Sequence, residues 1–321
     1  MVRATDFLLL LSLTGCVVAT FPTHVIYQSP TPIILENIAV RPSSKLLVTS
    51  IQSPTLFTLD PGAANATLDE VYTFPNSSGL TGIVEYKPDV YAVVTSIFNV
   101  TAAAAIRGSV VIWSIDLTSG SPVARPAARI PESTLTNGLA SFPGHPDLVL
   151  ASESYLGVVY EVNMRTGAVH VKIRGPALAP GPPAPPAIPI GINGLHVGLD
   201  GLLYFTNSLQ GTFARVPLSG GAVKVLGDLG SFTHTDLYDD FAFDNKGRAW
   251  VATHPGALQL FIPLANGTWV QRTAVGDLAG STVLNVPTAV AFGRGGALEK
   301  RTLYVTTAVG QIVAVDTGAK A

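Results

Sequence analysis

Four oxygen-bearing side chains stand at matching places in successive segments of this chain of 321 residues. They are Glu36, Asn137, Asn193 and Asp239, and each opens a short apolar run. Two carboxylates and two amide carbonyls suit a hard divalent cation such as Ca²⁺, with waters or a substrate completing its ligands. The pattern therefore predicts a divalent-cation site, with Asp240 replacing Asp239 if the register differs by one residue.

A structural interpretation of the same residues stays open. Asn-Gly and Asp-Asp pairs also form turns, where their side chains cap nearby backbone groups. Turns alone would accept Gly, Asn or Asp in every copy. The set found here differs from copy to copy and is rich in oxygen, which favours a site.

These positions belong to a sixfold repeat. Each copy consists of a polar or turn pair, an apolar strand, a turn, and a second apolar strand, and successive copies begin 45 to 56 residues apart. Repeats of this length, rich in β-branched and aromatic residues, are typical of four-stranded propeller blades. We therefore predict an all-β, six-bladed β-propeller with four antiparallel strands per blade. The pairs are Glu36-Asn37, Thr81-Gly82, Asn137-Gly138, Asn193-Gly194, Asp239-Asp240 and Pro287-Thr288.

The last blade is one strand short at the C-terminal end of the chain. Only three strands fit after Pro287, at 288–292, 302–307 and 311–316. We expect residues 24–28 to supply the fourth strand, because a ring closed by both ends of the chain leaves no exposed sheet edge.

The first twenty residues have the features of a secretory signal. Arg3 precedes an apolar stretch, and small residues occupy positions 17 and 19. We expect a signal peptide at 1–20 and a single propeller domain at 21–321. The chain's one cysteine, Cys16, lies in the signal, so the mature protein should form no disulfide.

The amino-acid composition limits the kinds of partner that the protein can bind. Charged residues are 12% of the chain and the formal net charge is −2, so nucleic acid is excluded as a partner. No later run is long enough to span a membrane, and the sequence assigns no oligomeric state. Sequons predict N-glycosylation at Asn65, Asn76, Asn99 and Asn266.

Other candidate residues should share one rim with the oxygen donors. The loop before each inner strand and the loop after each second strand lie at the same end of a propeller, and the Pro-rich segment 176–189 there is either a lid or a spacer. G-x-S-x-G, H-E-x-x-H, P-loop and zinc spacings are missing from the sequence. The candidates are Glu153, Tyr155 and His254 for catalysis and Phe98, Asn207, Phe232 and Tyr238 for substrate binding.

The segments ENIAV, NGL and DDFAFD resemble the senescence-marker-protein, gluconolactonase and strictosidine-synthase-like superfamily of six-bladed propellers. In its lactonases, a Glu in blade one, Asn in blades three and four, and Asp in blade five hold one divalent cation. The resemblance implies that role for the four oxygen donors. ENIAVRP with LLVTS, GINGL with LYFTN, and DDFAFD with VATH are similar to a secreted fungal-type branch that includes the hetero-Diels-Alderases of tropolone-sesquiterpene biosynthesis.

The narrower resemblance implies a secreted natural-product enzyme that joins a quinone methide to a terpenoid alkene in an apolar central pocket. Such a cycloaddition requires no cofactor, and His254, Tyr155 and Glu153 would assist loss of water or polarise a carbonyl. The alternatives are a Ca²⁺-dependent lactonase, in which the ion polarises the ester carbonyl, and a non-catalytic small-molecule-binding propeller.

Overall fold

A computed structural model describes residues 21–181, 188–230 and 236–318. The predicted signal peptide lies outside the described residues. Among the described residues, no helix is both long enough and apolar enough to cross a membrane.

The described strands form six four-stranded antiparallel sheets, one per blade, and a small hairpin. The first described strand is β1 (Thr23–Gln28), which belongs to blade six. Blade one contains β2 (Leu35–Val40), β3 (Leu46–Ser50), β4 (Thr55–Leu59) and β5 (Asp69–Thr73). Blade two contains β6 (Gly79–Lys87) and β7 (Val90–Ser96), then the hairpin β8 (Phe98–Asn99) and β9 (Ala104–Ala105), then β10 (Val111–Asp116) and β11 (Val123–Arg129).

The remaining blades repeat the pattern. Blade three contains β12 (Thr136–Ser141), β13 (Leu148–Glu153), β14 (Val158–Asn163) and β15 (Val169–Arg174). Blade four contains β16 (Ile192–Val197), β17 (Leu202–Asn207), β18 (Thr212–Pro217) and β19 (Lys224–Asp228). Blade five contains β20 (Leu237–Phe243), β21 (Ala249–His254), β22 (Ala257–Pro263) and β23 (Trp269–Gly276). Blade six contains β24 (Pro287–Phe292), β25 (Thr302–Thr307) and β26 (Gln311–Asp316), with the short helix α1 (Ala297–Arg301) after β24.

Both predictions about architecture are confirmed. The chain is a six-bladed propeller with four strands per blade, and β1 pairs with β26 as the outer strand of the last blade. Their register runs from Thr23 opposite Val315 to Gln28 opposite Gln311. The N-terminal strand therefore closes the ring.

Burial follows each strand's place in its blade. The second strand of blade one, β3, is buried along its whole length, because blades pack against both of its faces. The outer strand β5 is mostly exposed. Apolar side chains fill the space between neighbouring blades, and blades four and five share an aromatic cluster that includes Phe213, Phe241 and Phe261.

Every innermost strand contains a bulge of two residues. In blade one, Leu35 pairs with Ser50 and the next pair is Ile38 with Val48, so Glu36 and Asn37 lie outside the ladder. The first bulge residues are Glu36, Thr81, Asn137, Asn193, Asp239 and Thr288, and the second are Asn37, Gly82, Gly138, Gly194, Asp240 and Ala289.

The predicted alignment of the pairs is wrong by one residue in blade six. Pro287 pairs with Thr307 as the last ladder residue before the bulge. Thr288 therefore stands where Glu36 stands in blade one.

The second bulge residue packs directly against the next blade. A Cβ on Gly82 would overlap the carbonyl oxygen of Asn137, and a Cβ on Gly138 would lie 2.8 Å from the carbonyl oxygen of Asn193. Neither glycine has a positive φ, so close packing, rather than turn geometry, requires them. In each Asn-Gly pair, the Asn therefore places its side chain in the channel, and the Gly leaves room for the neighbouring strand.

Hydroxyl side chains from second strands link these bulges around the ring. Thr206 Oγ1 accepts the backbone N–H of Gly194 at 3.0 Å and donates to the carbonyl oxygen of Asp239, in the next blade, at 2.6 Å. The same arrangement joins Thr49 to Asn37 and Thr81, and Ser152 to Gly138 and Asn193.

We expect Gly82→Ala to destabilise the protein by about 1–3 kcal/mol, because the added methyl group must push blades two and three apart. Urea denaturation followed by far-UV circular dichroism measures the loss. Gly175→Ala is the matched control, since its Cβ meets nothing within 4 Å. Equal losses in the two variants would contradict the close-packing argument.

Candidate functional site

The first bulge residues of all six blades line one pocket at a mouth of the central channel. The pocket has a volume of about 230 Å³. It lies at the rim where the inner strands begin, and its floor carries the polar bulge residues. The polar lining consists of Glu36, Thr81, Asn137, Asn193, Ser208, Asp239, His254 and Thr288.

Apolar side chains from the surrounding loops form the wall of the pocket. Phe98 and Val100 come from blade two, Leu135 precedes β12, and Ile190 precedes β16. Ile34, Ile51, Ala103, Leu237 and Ala308 complete this wall. An apolar wall above a small number of polar groups is typical of small-molecule sites.

The two acidic residues of the blade-five bulge face different cavities. Asp239 lines the pocket, whereas Asp240 lines a second cavity of about 440 Å³ with Asn37 and His196. Asn37 Nδ2 donates to Asp240 Oδ2 at 3.0 Å, a bond from blade one to blade five. Asp239 is therefore the acidic residue of blade five that lies with the other three oxygen donors.

Two carboxyl groups share the pocket floor, and the pKa values of both are raised. Removal from water, with the nearby charges of Asp239 and Asp240, raises the pKa of Glu36 to about 8. Burial also raises the pKa of Asp239, an effect opposed by His254. The Nε2 atom of His254 lies 3.2 Å from Asp239 Oδ2. The floor thus favours positive charge.

Hydrogen-bond donors also reach this floor. His254 Nε2 is buried and makes no well-aligned hydrogen bond with the described residues. Asn193 Nδ2 donates to Ser208 Oγ at 2.9 Å, and the Asn193 side chain also hydrogen-bonds to Asp239. The pocket can therefore offer both donors and acceptors to a ligand.

The donor set fits a hard divalent cation in its chemistry. No cluster of three or more His, Cys, Asp or Glu spaced for a metal ion occurs among the described residues. A cation would be held by two carboxylates, Glu36 and Asp239, together with the amide carbonyls of Asn137 and Asn193. These four residues belong to four different blades, so the propeller ring sets their spacing.

Glu153 lies outside the pocket and serves the fold. It is fully buried, and its Oε1 accepts the backbone N–H groups of Thr134 and Leu135 at 3.1 and 2.9 Å. It also accepts a hydrogen bond from the hydroxyl of Ser133. The carboxylate therefore holds the loop before β12, and it is not placed to touch a ligand.

Two predicted binding residues also have structural partners. Asn207 Nδ2 donates to the carbonyl oxygens of Ala177 and Ala179 at 3.0 and 2.8 Å, which fixes the described start of the Pro-rich segment. Tyr238 is buried between blades, and its hydroxyl accepts a hydrogen bond from Gln271. Neither side chain lines the pocket, whereas Phe98 does.

The remaining predicted residues lie away from the pocket lining or outside the described residues. Phe232 lies outside the described residues. The four sequon residues, Asn65, Asn76, Asn99 and Asn266, are all exposed. Tyr155 does not line the pocket, and its hydroxyl donates to the carbonyl oxygen of Ala102 at 3.1 Å.

Val100 and Ala103 belong to the pocket wall but were not predicted from the sequence. The signal for them is the length of the connection at 97–110, because the equivalent turn in blade one spans only 51–54. Thr81 and Thr288 occur in the repeat but received no role. Their hydroxyls donate to backbone carbonyls of the next blades, Thr136 and Leu35.

A larger cleft of about 570 Å³ lies between blades four and five at the opposite rim. Tyr204, Phe243 and Trp269 line it. Its charged residues Arg215 and Asp200 are paired at 3.0 Å. The smaller central pocket is the better candidate, since it brings together the first bulge residues of all six blades, including two carboxyl groups whose pKa values are raised.

The chain has relatives that match it over nearly its whole length. No protein-family model matches. A protein from Phoma sp with a provisional hetero-Diels-Alderase name is 29% identical over 315 residues, covering 89% of this chain and 86% of that protein. A second provisional hetero-Diels-Alderase, from Sarocladium schorii, is 25% identical and covers 89% of this chain and 78% of its own.

Solved propellers share the fold. The calcium-binding protein regucalcin from Agrobacterium tumefaciens has a TM-score of 0.61 at 17% identity, covering 92% of this chain and 95% of its own. A gluconolactonase from Xanthomonas campestris has a TM-score of 0.59 at 11% identity, covering 92% and 89%. The predicted resemblance is borne out by the two relatives with hetero-Diels-Alderase names, and the solved propellers share the fold. At these identities the solved structures establish the fold alone.

We expect Glu153→Gln to destabilise the protein by about 1–3 kcal/mol, because the amide N–H₂ that replaces one carboxylate oxygen cannot accept the backbone N–H of Leu156, which Glu153 Oε2 accepts. Urea denaturation measures the change. Ligand binding by the folded fraction should be unaffected. Full stability with lost binding or activity would instead give Glu153 a direct role.

Proposed function

We propose that this protein catalyses a hetero-Diels–Alder cycloaddition between a quinone methide and an apolar alkene of natural-product type. The observation that carries the proposal is the central pocket, where an apolar wall encloses a floor of hydrogen-bonding groups. The two provisional hetero-Diels-Alderase names among the relatives support the same reaction class. The proposed setting is secretion, in keeping with the expected signal peptide.

The chemistry requires orientation more than proton transfer. The carbonyl oxygen of the quinone methide forms a C–O bond to one alkene carbon, and its exocyclic carbon forms a C–C bond to the other. Three π bonds become one π bond and two σ bonds, and no atom is lost. Holding both reactants in one pocket replaces a bimolecular encounter with an oriented complex.

The floor supplies donors for the carbonyl oxygen. His254 lines the pocket with its Nε2 atom 3.2 Å from Asp239 Oδ2, and the Asn137 amide lines the same pocket. A hydrogen bond to that oxygen draws electron density from the oxadiene and is strongest where charge develops in the transition state. The apolar side chains Val100 and Leu135 would hold the alkene.

We expect His254→Ala and Asn137→Ala each to lower the enzymatic rate by about tenfold to a hundredfold, because each removes one donor. A quinone methide released in situ is mixed with an alkene, and product and enantiomeric excess are followed by chiral chromatography. His170→Ala, on the exposed face of β15, is the control. Rates equal to buffer and racemic product with the unaltered protein would overturn the proposal.

A metal-dependent lactonase is the second candidate. It is favoured by the convergence of Glu36, Asn137, Asn193 and Asp239 in one pocket and by the gluconolactonase and calcium-binding propellers of similar fold. A bound divalent cation would supply polarisation of a lactone carbonyl. The four side chains would hold that cation, and His254 beside Asp239 would be placed near the substrate.

We expect Ca²⁺ to raise the melting temperature if this second candidate is correct, because a ligand that binds only the folded state stabilises it. Glu36→Gln and Asp239→Asn should remove the increase. Glu70→Gln, an exposed acid on β5, is the matched control. An unchanged melting temperature across a calcium titration, with no hydrolysis of glucono-δ-lactone in a pH-stat, would exclude it.

A further inference from the structure

Blade two carries an insertion at the mouth of the pocket. Its second and third strands are joined by residues 97–110, whereas the corresponding turns in blades one and four span 51–54 and 208–211. Within the insertion, β8 pairs with β9, and Ile106 N donates to the carbonyl oxygen of Ile97 at 2.8 Å. Residues 97–106 are called the flap.

The flap is part of the pocket wall. Phe98, Val100 and Ala103 line the pocket that holds the polar floor. Its outer surface is apolar as well, since Ile97 is 42% exposed and Ile106 is 57% exposed. An apolar surface around an apolar opening favours the approach of molecules that water solvates poorly.

Backbone contacts anchor the base of the flap. Phe98 N donates to Ser78 Oγ at 2.8 Å, and Ala105 N donates to the carbonyl oxygen of Thr134, in blade three, at 2.7 Å. These bonds fix the two strands of the hairpin. They leave its tip, residues 100–103, without a backbone partner beyond the flap among the described residues.

The tip depends on one side chain from blade three. Tyr155 donates its hydroxyl toward the carbonyl oxygens of Ala102 and Ala103, at 3.1 and 3.4 Å. Other hydrogen bonds between the tip and the described part of the chain stay within the flap, from Ala103 N to the carbonyl oxygen of Val100 and from Ala102 N to Asn99 Oδ1. Burial, aided by the charge of Glu153, raises the pKa of Tyr155. The phenol therefore keeps its proton for donation.

We propose that the flap is the specificity-determining wall of the central pocket and that Tyr155 is its positioning residue. The wall selects an uncharged, apolar ring compound or terpenoid over a polar sugar lactone. This inference deepens the proposed function and rests on it for the identity of the reaction. The ligand preference itself is measurable without any turnover.

The first test uses the neutral fluorophore 1-aminoanthracene as the ligand. Removing the Tyr155 hydroxyl in Tyr155→Phe should raise the dissociation rate of the probe by about threefold to tenfold, the equivalent of one ordinary hydrogen bond. Hydrogen exchange should quicken at amides of residues 97–106 and nowhere else, with an unchanged melting temperature. Tyr27→Phe, in β1, is the control.

Unchanged probe kinetics and unchanged exchange in Tyr155→Phe would overturn the positioning role. Faster exchange throughout the protein would overturn it too, because it would mark a general loss of stability. In the active enzyme, the variant should raise KM for the alkene more than it lowers kcat.

The second test addresses the wall itself. Val100→Asp places a charge on the flap at a side chain that is 39% exposed, so folding should be preserved. Probe affinity should fall at least about tenfold, because the apolar ligand would have to desolvate the new carboxylate. Val123→Asp, on β11 and 61% exposed, is the control. Undiminished affinity in Val100→Asp would overturn the wall assignment.

The two proposals can fail separately. Probe binding that responds to both flap variants, with no cycloaddition by the unaltered protein, would leave the flap as a selector and reject the proposed reaction. Cycloaddition that is unaffected by either variant would keep the reaction and reject the flap.

Discussion

The site depends on how the inner strands of neighbouring blades approach one another. Each inner strand bulges by two residues, and the second of these packs against the next blade so closely that blades two, three and four require glycine there. Hydroxyls such as Thr206 satisfy the freed backbone N–H groups and bridge to the next carbonyl. The bulge points the side chain of its first residue into the channel. The hydrogen-bonded bridge to the next blade fixes the position of that residue along the channel. Glu36 and Asp239 are therefore held together in spite of their charge.

The enforced proximity of Glu36 and Asp239 contributes to the raised pKa of Glu36 and to the preference of the floor for positive charge. A carboxyl group raised to a pKa of about 8 contributes nothing to folding by its own ionisation. The fold tolerates it because the bulge geometry is stabilised elsewhere, by packing between blades and by the Asn37–Asp240 hydrogen bond. A floor that favours positive charge can be satisfied by His254, by a divalent cation, or by a ligand's polarised group. These three possibilities underlie the two candidate reactions.

Much of the fold and part of the site could be predicted from sequence. The repeat reports strands and blade number because short apolar strands and the turn pairs between them are local features of the sequence, and the oxygen donors could be aligned because they stand at one place in the repeat. Glu153 and Asn207 were assigned to the rim from their strand-end positions, but their partners are backbone groups of loops far along the chain, such as Thr134 and Ala177. In blade six, Pro287 resembled a turn residue although it belongs to the ladder.

The six blades share one strand pattern, so the asymmetry of the site comes from the places where the blades differ. It enters the floor through the identities of the first bulge residues, which change the chemistry without changing the backbone. It enters the wall through the blade-two insertion, which changes the shape of one side of the mouth. The floor is constrained by packing on every side, whereas the flap tip is joined to its surroundings by the Tyr155 hydroxyl among the described residues. Substitutions at the tip therefore alter which molecules enter at little cost to the ring, and selectivity can change while the floor chemistry is preserved.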